Sequence, residues 1–178
     1  MLAIVSLRLP DKGVGMKHLA IIWDSMTGGA QALALAAANG ARENRDVEVH
    51  LIAAHDAQVS DLLGSDSYLF FFPENLAAIS GVMKAFFDRC YYPCLGQIEG
   101  RPYAVVVCAG SDGSNAVRQV ERIATGWRLK KVADSKIVCT NAETPEAILA
   151  AKVIGDEDLQ AARDLGAVIA EGLALGVF

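Results

Sequence analysis

Short apolar runs alternate with helix-length stretches along this chain, and that alternation limits its fold more than any other feature. His18-Leu19-Ala20-Ile21-Ile22-Trp23, Tyr68 to Phe72 and Tyr103 to Cys108 each have the length of one strand. Runs apolar in every position have no face to give to water, so they belong inside a sheet covered on both sides. Val47 to Ala53 alternates and includes His50, which places it nearer a sheet edge. A fifth strand lies within Leu129 to Thr140, most firmly at Lys136 to Cys139, and Pro73 is expected to stop the third.

Helical stretches fill the gaps. Gly29 to Gly40 is rich in Ala and Leu, and Asn39-Gly40 ends it. Gln58 to Leu63 has room for only a short helix. Ile79 to Tyr91 places Ile79, Val82, Met83, Phe86 and Cys90 on one face, with Lys84 and Asp88 paired on another. Ser114 to Trp127 turns Val117, Val120, Ile123, Ala124 and Trp127 inward. Thr144-Pro145 is a helix start, threonine capping and proline opening the first turn. Gly155-Asp156 then divides this last helical region. Five strands alternating with helices predict an α/β fold: one doubly wound parallel sheet in a three-layer α/β/α domain. Residues 16–178 make up that domain. Residues 1–15 read as an N-terminal extension ahead of a natural-looking start at Met16-Lys17-His18, without the features of a signal peptide.

Composition removes several classes of function. A net charge of −5 over 178 residues offers no basic footprint for nucleic acid or an anionic membrane. No apolar run approaches the ~20 residues that span a bilayer. Cys90, Cys94, Cys108 and Cys139 form neither a CxxC pair nor a zinc pattern, and such usage fits the cytoplasm. Cys108 and Cys139 close apolar runs and are expected to pack as small hydrophobes. His18, His50 and His55 lie in or beside the first two strands, and none pairs with a nucleophile; their expected role is structural or exposed, and no metal ligand is assigned.

In a doubly wound sheet, ligands bind beyond the carboxyl ends of the strands, where strand order reverses. Three loops there are distinctive. The first is Ser25-Met26-Thr27-Gly28-Gly29-Ala30, whose hydroxyls, glycines and following helix start form an anion site without a basic residue. The second is Pro73-Glu74-Asn75-Leu76, suited to the edge of a planar heterocycle. The third, Ala109-Gly110-Ser111-Asp112, brings backbone close to the same crevice. Other phosphate and nucleophile motifs do not apply. Gly13-Val14-Gly15 precedes its strand instead of following it, GxxxxGK[ST] and GxSxG are absent, and Phe72-Pro73 stand where a response regulator needs its aspartate.

Together these residues resemble a known family. Ser25-x-Thr27-Gly28-Gly29, then Pro73-Glu74-Asn75 with Ser80-Gly81-x-x-Lys84-x-Phe86-x-Asp88, then Cys108-Ala109-Gly110-Ser111, are similar to the flavodoxin-like flavoproteins, in the NAD(P)H-dependent FMN reductase and quinone reductase branch. The resemblance implies strand order 2-1-3-4-5 and noncovalent FMN, its phosphate on the first loop and its ring between the second and third. Ala30 stands where the family often carries a hydroxyl or amide, and one missing bond weakens a ligand by ~1–3 kcal/mol. Glu74 replaces a neutral residue of many quinone reductases.

The resemblance further implies NADPH or NADH as donor and a small acceptor such as a quinone or free flavin. The cofactor carries that chemistry, so no catalytic side chain is assigned. Tyr91 and Tyr92 are read either as aromatic surface near the site or as packing residues. The third and fourth helices suit a homodimer. Two alternatives stay open: a noncatalytic flavodoxin-type electron carrier, and a flavodoxin-fold binding protein without flavin.

Overall fold

The computed structural model describes residues 15–178; all but Gly15 of the expected N-terminal extension lies outside the described residues. β1 (Lys17–Trp23) is the hinge of the topology. It pairs in parallel with β2 (Val47–Ala53) on one edge and with β3 (Ser67–Asn75) on the other. After β3 the chain folds back through β4 (Ala78–Ile79), and β5 (Pro102–Ala109) pairs with the outer edge of β3. β6 (Lys130–Lys131) and β7 (Lys136–Cys139) share the far edge of β5.

The order is therefore β2-β1-β3-β5-β6/β7, which is the expected 2-1-3-4-5 arrangement with the small hairpin strand β4 added and the last strand in two pieces. Its break has a visible cause. Lys131 Nζ and Ser135 Oγ both donate to Glu121 Oε1, at 2.7 Å each, drawing this stretch toward the neighbouring helix. Those two bonds hold the Glu121 carboxyl below the usual carboxylate range.

Pro73 does not end β3, contrary to expectation: it pairs with Cys108, and the strand runs on to Asn75. Phe71 O accepts from Asp24 N, so the odd residues of β3 turn their amides toward β1. Trp23, the last residue of β1, lies opposite Phe71. At Pro73 that edge has no strand left to bond, and the missing N–H breaks no ladder.

Helices cover both faces. α1 (Gly29–Ala41) and α6 (Asp156–Ala174) lie on one. On the other lie α2 (Val59–Leu63), α3 (Gly81–Cys94) and α4 (Ser114–Gly126). α5 (Pro145–Leu149) is one short turn, capped by Thr144 Oγ1 accepting from Ala147 N at 3.2 Å. The alternation of side chains along the strands separates two cores. Phe70 and Phe72 point to Phe86, Phe87 and Trp127, while Leu19, Ile21 and Phe71 point to Leu33 and Ile169.

The buried face of α3 differs from expectation. Ile79 sits in β4, and the helix begins only after Ser80, whose hydroxyl accepts from Met83 N. Val82 faces outward at 42% exposure, and Phe87 takes a place in the core. In α4, Ala116 is buried with Val120 and Ala124, while Val117 and Ile123 are half-buried. Cys108 packs in the core as expected, but Cys139, the last residue of the edge strand β7, is exposed.

α1 and α6 approach so closely that glycines are required at the crossing. A Cβ at Gly166 would overlap the carbonyl oxygen of Ala37, and one at Gly40 would overlap that of Arg163. Backbone cannot yield as a side chain end can. Gly166→Ala is therefore expected to destabilise the fold by about 2 kcal/mol, within the range for overpacked cores, read as a lowered urea midpoint with unchanged m-value.

Candidate functional site

The carboxyl ends of β1, β3 and β5 open into one cleft of about 510 Å³. Its first wall is the turn from β1 into α1. Ser25 Oγ accepts from Gly28 N at 3.0 Å and closes this turn. Gly28 caps α1 with φ of 88°, a conformation that costs other residues ~1–2 kcal/mol. Gly29 lets the loop touch β5: a Cβ there would lie 2.7 Å from Cys108 Sγ. Ala30 is 1% exposed and belongs to the core beneath α1, so position 30 is filled for packing. No described side chain caps α1, which leaves the N–H groups of its first turn facing the cleft end where Ser25 and Thr27 lie.

The second wall is the β3–β4 hairpin. Pro73, Glu74, Asn75 and Leu76 all line the cleft. Leu76 and Ala77 form its two-residue turn with φ of 52° and 57°, and the Leu76 side chain stands fully in solvent. Asn115 Nδ2 donates to Ala77 O at 2.5 Å, and Ile79 N donates to Gln119 Oε1 at 3.0 Å, so α4 holds the hairpin from behind.

Glu74 is oriented by the third loop. Its Oε2 accepts from Gly113 N at 2.9 Å, at the start of α4, where the helix dipole favours a negative charge. Oε1 is buried without a hydrogen-bond partner among the described residues. Ala109, Gly110 and Ser111 line the cleft. Asp112 does not; its carboxylate accepts from Ser114 N and Ser114 Oγ, at 3.3 and 2.8 Å. Of the fourteen residues assigned to the site from the sequence, Gly28 and Asp112 shape their loops from outside the lining, and the other twelve meet in this single cleft.

Cys108, Thr140, Ala142, Ile148 and Lys152 also line it and were not assigned. Thr140 and Ala142 follow the last strand, where Thr140 N and Ala142 N donate to Ala109 O and Gly110 O. Lys152 returns to the first loop by donating its backbone N–H to Thr27 O at 2.8 Å. Its Nζ donates to the carbonyls of Ala147, Ile148 and Ala150 at 2.6 to 2.9 Å. The ammonium therefore serves the end of α5. No spacing in the sequence foretells that residues 142–152 fold back over a loop more than a hundred positions earlier.

Lys152 is the sole cation and Glu74 the sole carboxylate among the lining residues, and both are bonded to protein. Burial pushes the Cys108 thiol up to about 11, so it lines the cleft as a neutral group. The arrangement receives an anion through N–H and hydroxyl donors and offers a largely apolar slot for a planar group. Tyr91 does not reach it: its ring stacks on Trp127 with centroids 5.7 Å apart. Tyr92 is 79% exposed and is also absent from the lining.

Known proteins carry the same architecture. A family model described as NADPH-dependent FMN reductase matches residues 57–144, from the α2 region through β7. A flavodoxin of Aquifex aeolicus is 28% identical over 174 residues, covering 91% of this chain and 90% of its own. An archaeal flavodoxin structure superposes with a TM-score of 0.70 at 18% identity, covering 88% of this chain and 98% of that one. A WrbA-like flavodoxin from Agrobacterium tumefaciens gives 0.69 at 18%, covering 90% and 98%. The fold is that of flavodoxin. Together with the family match it supports a flavodoxin-like flavoprotein of the FMN reductase branch.

The Glu74–Gly113 bond ties two walls of the cleft. Glu74→Ala should leave Gly113 N without its acceptor and lower stability by about 1–2 kcal/mol, measured by denaturant unfolding. Full stability in that variant would show that the tie contributes nothing.

Proposed function

We propose that the cleft binds FMN and that the protein is an oxidoreductase that uses NADPH or NADH to reduce a small acceptor such as a quinone or free flavin. One observation carries the reading: an uncapped helix start lies at one end of a cleft whose lining residues include no aromatic ring. Bound FMN supplies two-electron chemistry, reduced by a nicotinamide and reoxidised by the acceptor. The residues of this chain do the positioning. Ser25, Thr27 and the N–H groups at the start of α1 hold the phosphate, with Met26 and Ala30 beside them. Pro73 to Leu76 and Ala109 to Ser111 flank the ring and keep water from its buried side. With no aromatic lid on the lining, one face of the ring stays open to a second flat reactant, which a reductase needs and a carrier does not.

A second reading is the noncatalytic electron carrier, favoured by the likeness to the Aquifex flavodoxin along nearly the whole chain. Carriers of that kind steer to partners with strongly acidic surfaces, and −5 is a modest charge for that purpose. Val82, Tyr92 and Leu95 are exposed on and just after α3 and fit the face of a homodimer. Size-exclusion with light scattering should give twice the chain mass, and a monomer at every working concentration would refute the dimer.

The decisive measurement is a visible spectrum of the purified chain with added FMN, followed by anaerobic NADPH or NADH. Flavin bands that bleach on adding nicotinamide are expected. The Ser25→Ala and Thr27→Ala variants should each bind FMN about 5- to 150-fold more weakly, the equivalent of ~1–3 kcal/mol. Absence of binding at excess FMN would overturn both flavin readings. Binding without bleaching would leave the carrier.

A further inference from the structure

We propose that His18, Glu48 and His50 form a binding site for one divalent transition-metal ion of the zinc type. The site is independent of the flavin reading. It lies toward the amino ends of β1 and β2, while the cleft lies at their carboxyl ends. His18 is five residues from Trp23, about 17 Å along an extended strand.

Strand register assembles the three ligands. His18 pairs directly with Glu48, and Ala20 pairs with His50, so His50 is two residues beyond Glu48 on the same strand. Residues two apart on a strand share a face, and directly paired residues share it as well. All three side chains thus project from one side of the β1–β2 ladder. Two are imidazoles and one is a carboxylate, a donor set that suits zinc and neighbouring first-row ions over magnesium.

The distances fit one ion. His18 Nδ1 lies 3.1 Å from His50 Nε2 and 3.5 Å from Glu48 Oε2, and His50 Nε2 lies 3.9 Å from Glu48 Oε1. A tetrahedral ion bound at about 2.0–2.1 Å separates its ligand atoms by about 3.3 Å. The contacts to Glu48 run through different carboxylate oxygens, and with one ligand atom from each residue all three atoms still lie within 4.8 Å of one another, so side-chain rotations draw them onto one ion. The two imidazoles lie side by side, their rings 14° from parallel with centroids 5.4 Å apart.

Access is open. α2 is only five residues long, and it leaves His18 and His50 35% and 38% exposed and Glu48 56% exposed. A groove of about 160 Å³, bordered by Ile52, Ser60, Asp61 and Gly64, opens beside His50. The strand carrying His18 is held in place independently, because its backbone N–H donates to Asp66 Oδ2 at 2.9 Å. A bound ion would cross-link the outermost strand of the sheet to its neighbour and stabilise the folded chain in proportion to its occupancy.

The test uses the full-length chain without an affinity tag, after dialysis against a chelator. Titration with Zn²⁺, followed by calorimetry and equilibrium dialysis, should show one saturable ion per chain and a raised melting temperature. Mg²⁺ at the same concentrations should show neither. His18→Ala and His50→Gln should each weaken Zn²⁺ binding at least ~10-fold and abolish the rise in melting temperature. Should either histidine variant fail to fold, Glu48→Gln at a more exposed position reads the same affinity. Absence of saturable Zn²⁺ binding by the unaltered chain, or equal affinity in all variants, would overturn the site.

Discussion

The parallel pairing of β1 on both of its edges is the constraint on which the rest of this structure depends. From β1 the chain winds first to β2 and later, in the opposite sense, to β3 and β5. The crossovers on its two sides therefore run to opposite faces of the sheet, and the loops beyond Trp23 and Asn75 part at their tips. That separation creates the crevice before any side chain shapes it. Gly29 then sets its depth, because only a residue without a side chain lets the start of α1 rest on Cys108 at the end of β5.

The loops around this crevice are tied to one another. Ser80 Oγ donates to Asp24 Oδ2 at 2.5 Å and also caps α3, which joins the first loop to the helix after the hairpin. Glu74 joins the hairpin to the start of α4, and Lys152 N joins the last crossover back to the first loop. Each tie satisfies a backbone or carboxylate group that the sharp chain reversals would otherwise leave without a partner. The polar residues nearest the cleft thus spend their bonds on architecture, and hydroxyls and helix-start N–H groups are left to meet a ligand.

Much of this was legible in the sequence because it rests on local pattern. Uniformly apolar runs marked β1, β3 and β5, Thr144-Pro145 marked the start of α5, and Gly155 marked the start of α6. The three loops that form the cleft announced themselves by hydroxyl, glycine and proline chemistry. What stayed hidden depends on contacts distant in sequence. Pro73 looks like a strand end until the length of β1 is known, since only then does its missing N–H become harmless. Phe87 looks solvent-facing by helical spacing, yet it lies against Trp127, forty positions on. Lys152, Thr140 and Ala142 enter the cleft only because the chain after β7 returns across the first loop. His18 and His50 likewise look unrelated until strand register places them side by side.

The Leu76–Ala77 turn gives the cleft a mechanical asymmetry. Two non-glycine residues in the left-handed region hold about 1–2 kcal/mol of strain each, and the Leu76 side chain gains no burial in return. The tip is restrained by the two-pair β3–β4 ladder and by links from Asn115 and Gln119, whereas the strand ends beneath it are set in two packed cores. The floor of the cleft is therefore stiff and its lip compliant. A compliant lip lets the mouth of the cleft change outline at little energetic cost while its floor keeps one shape.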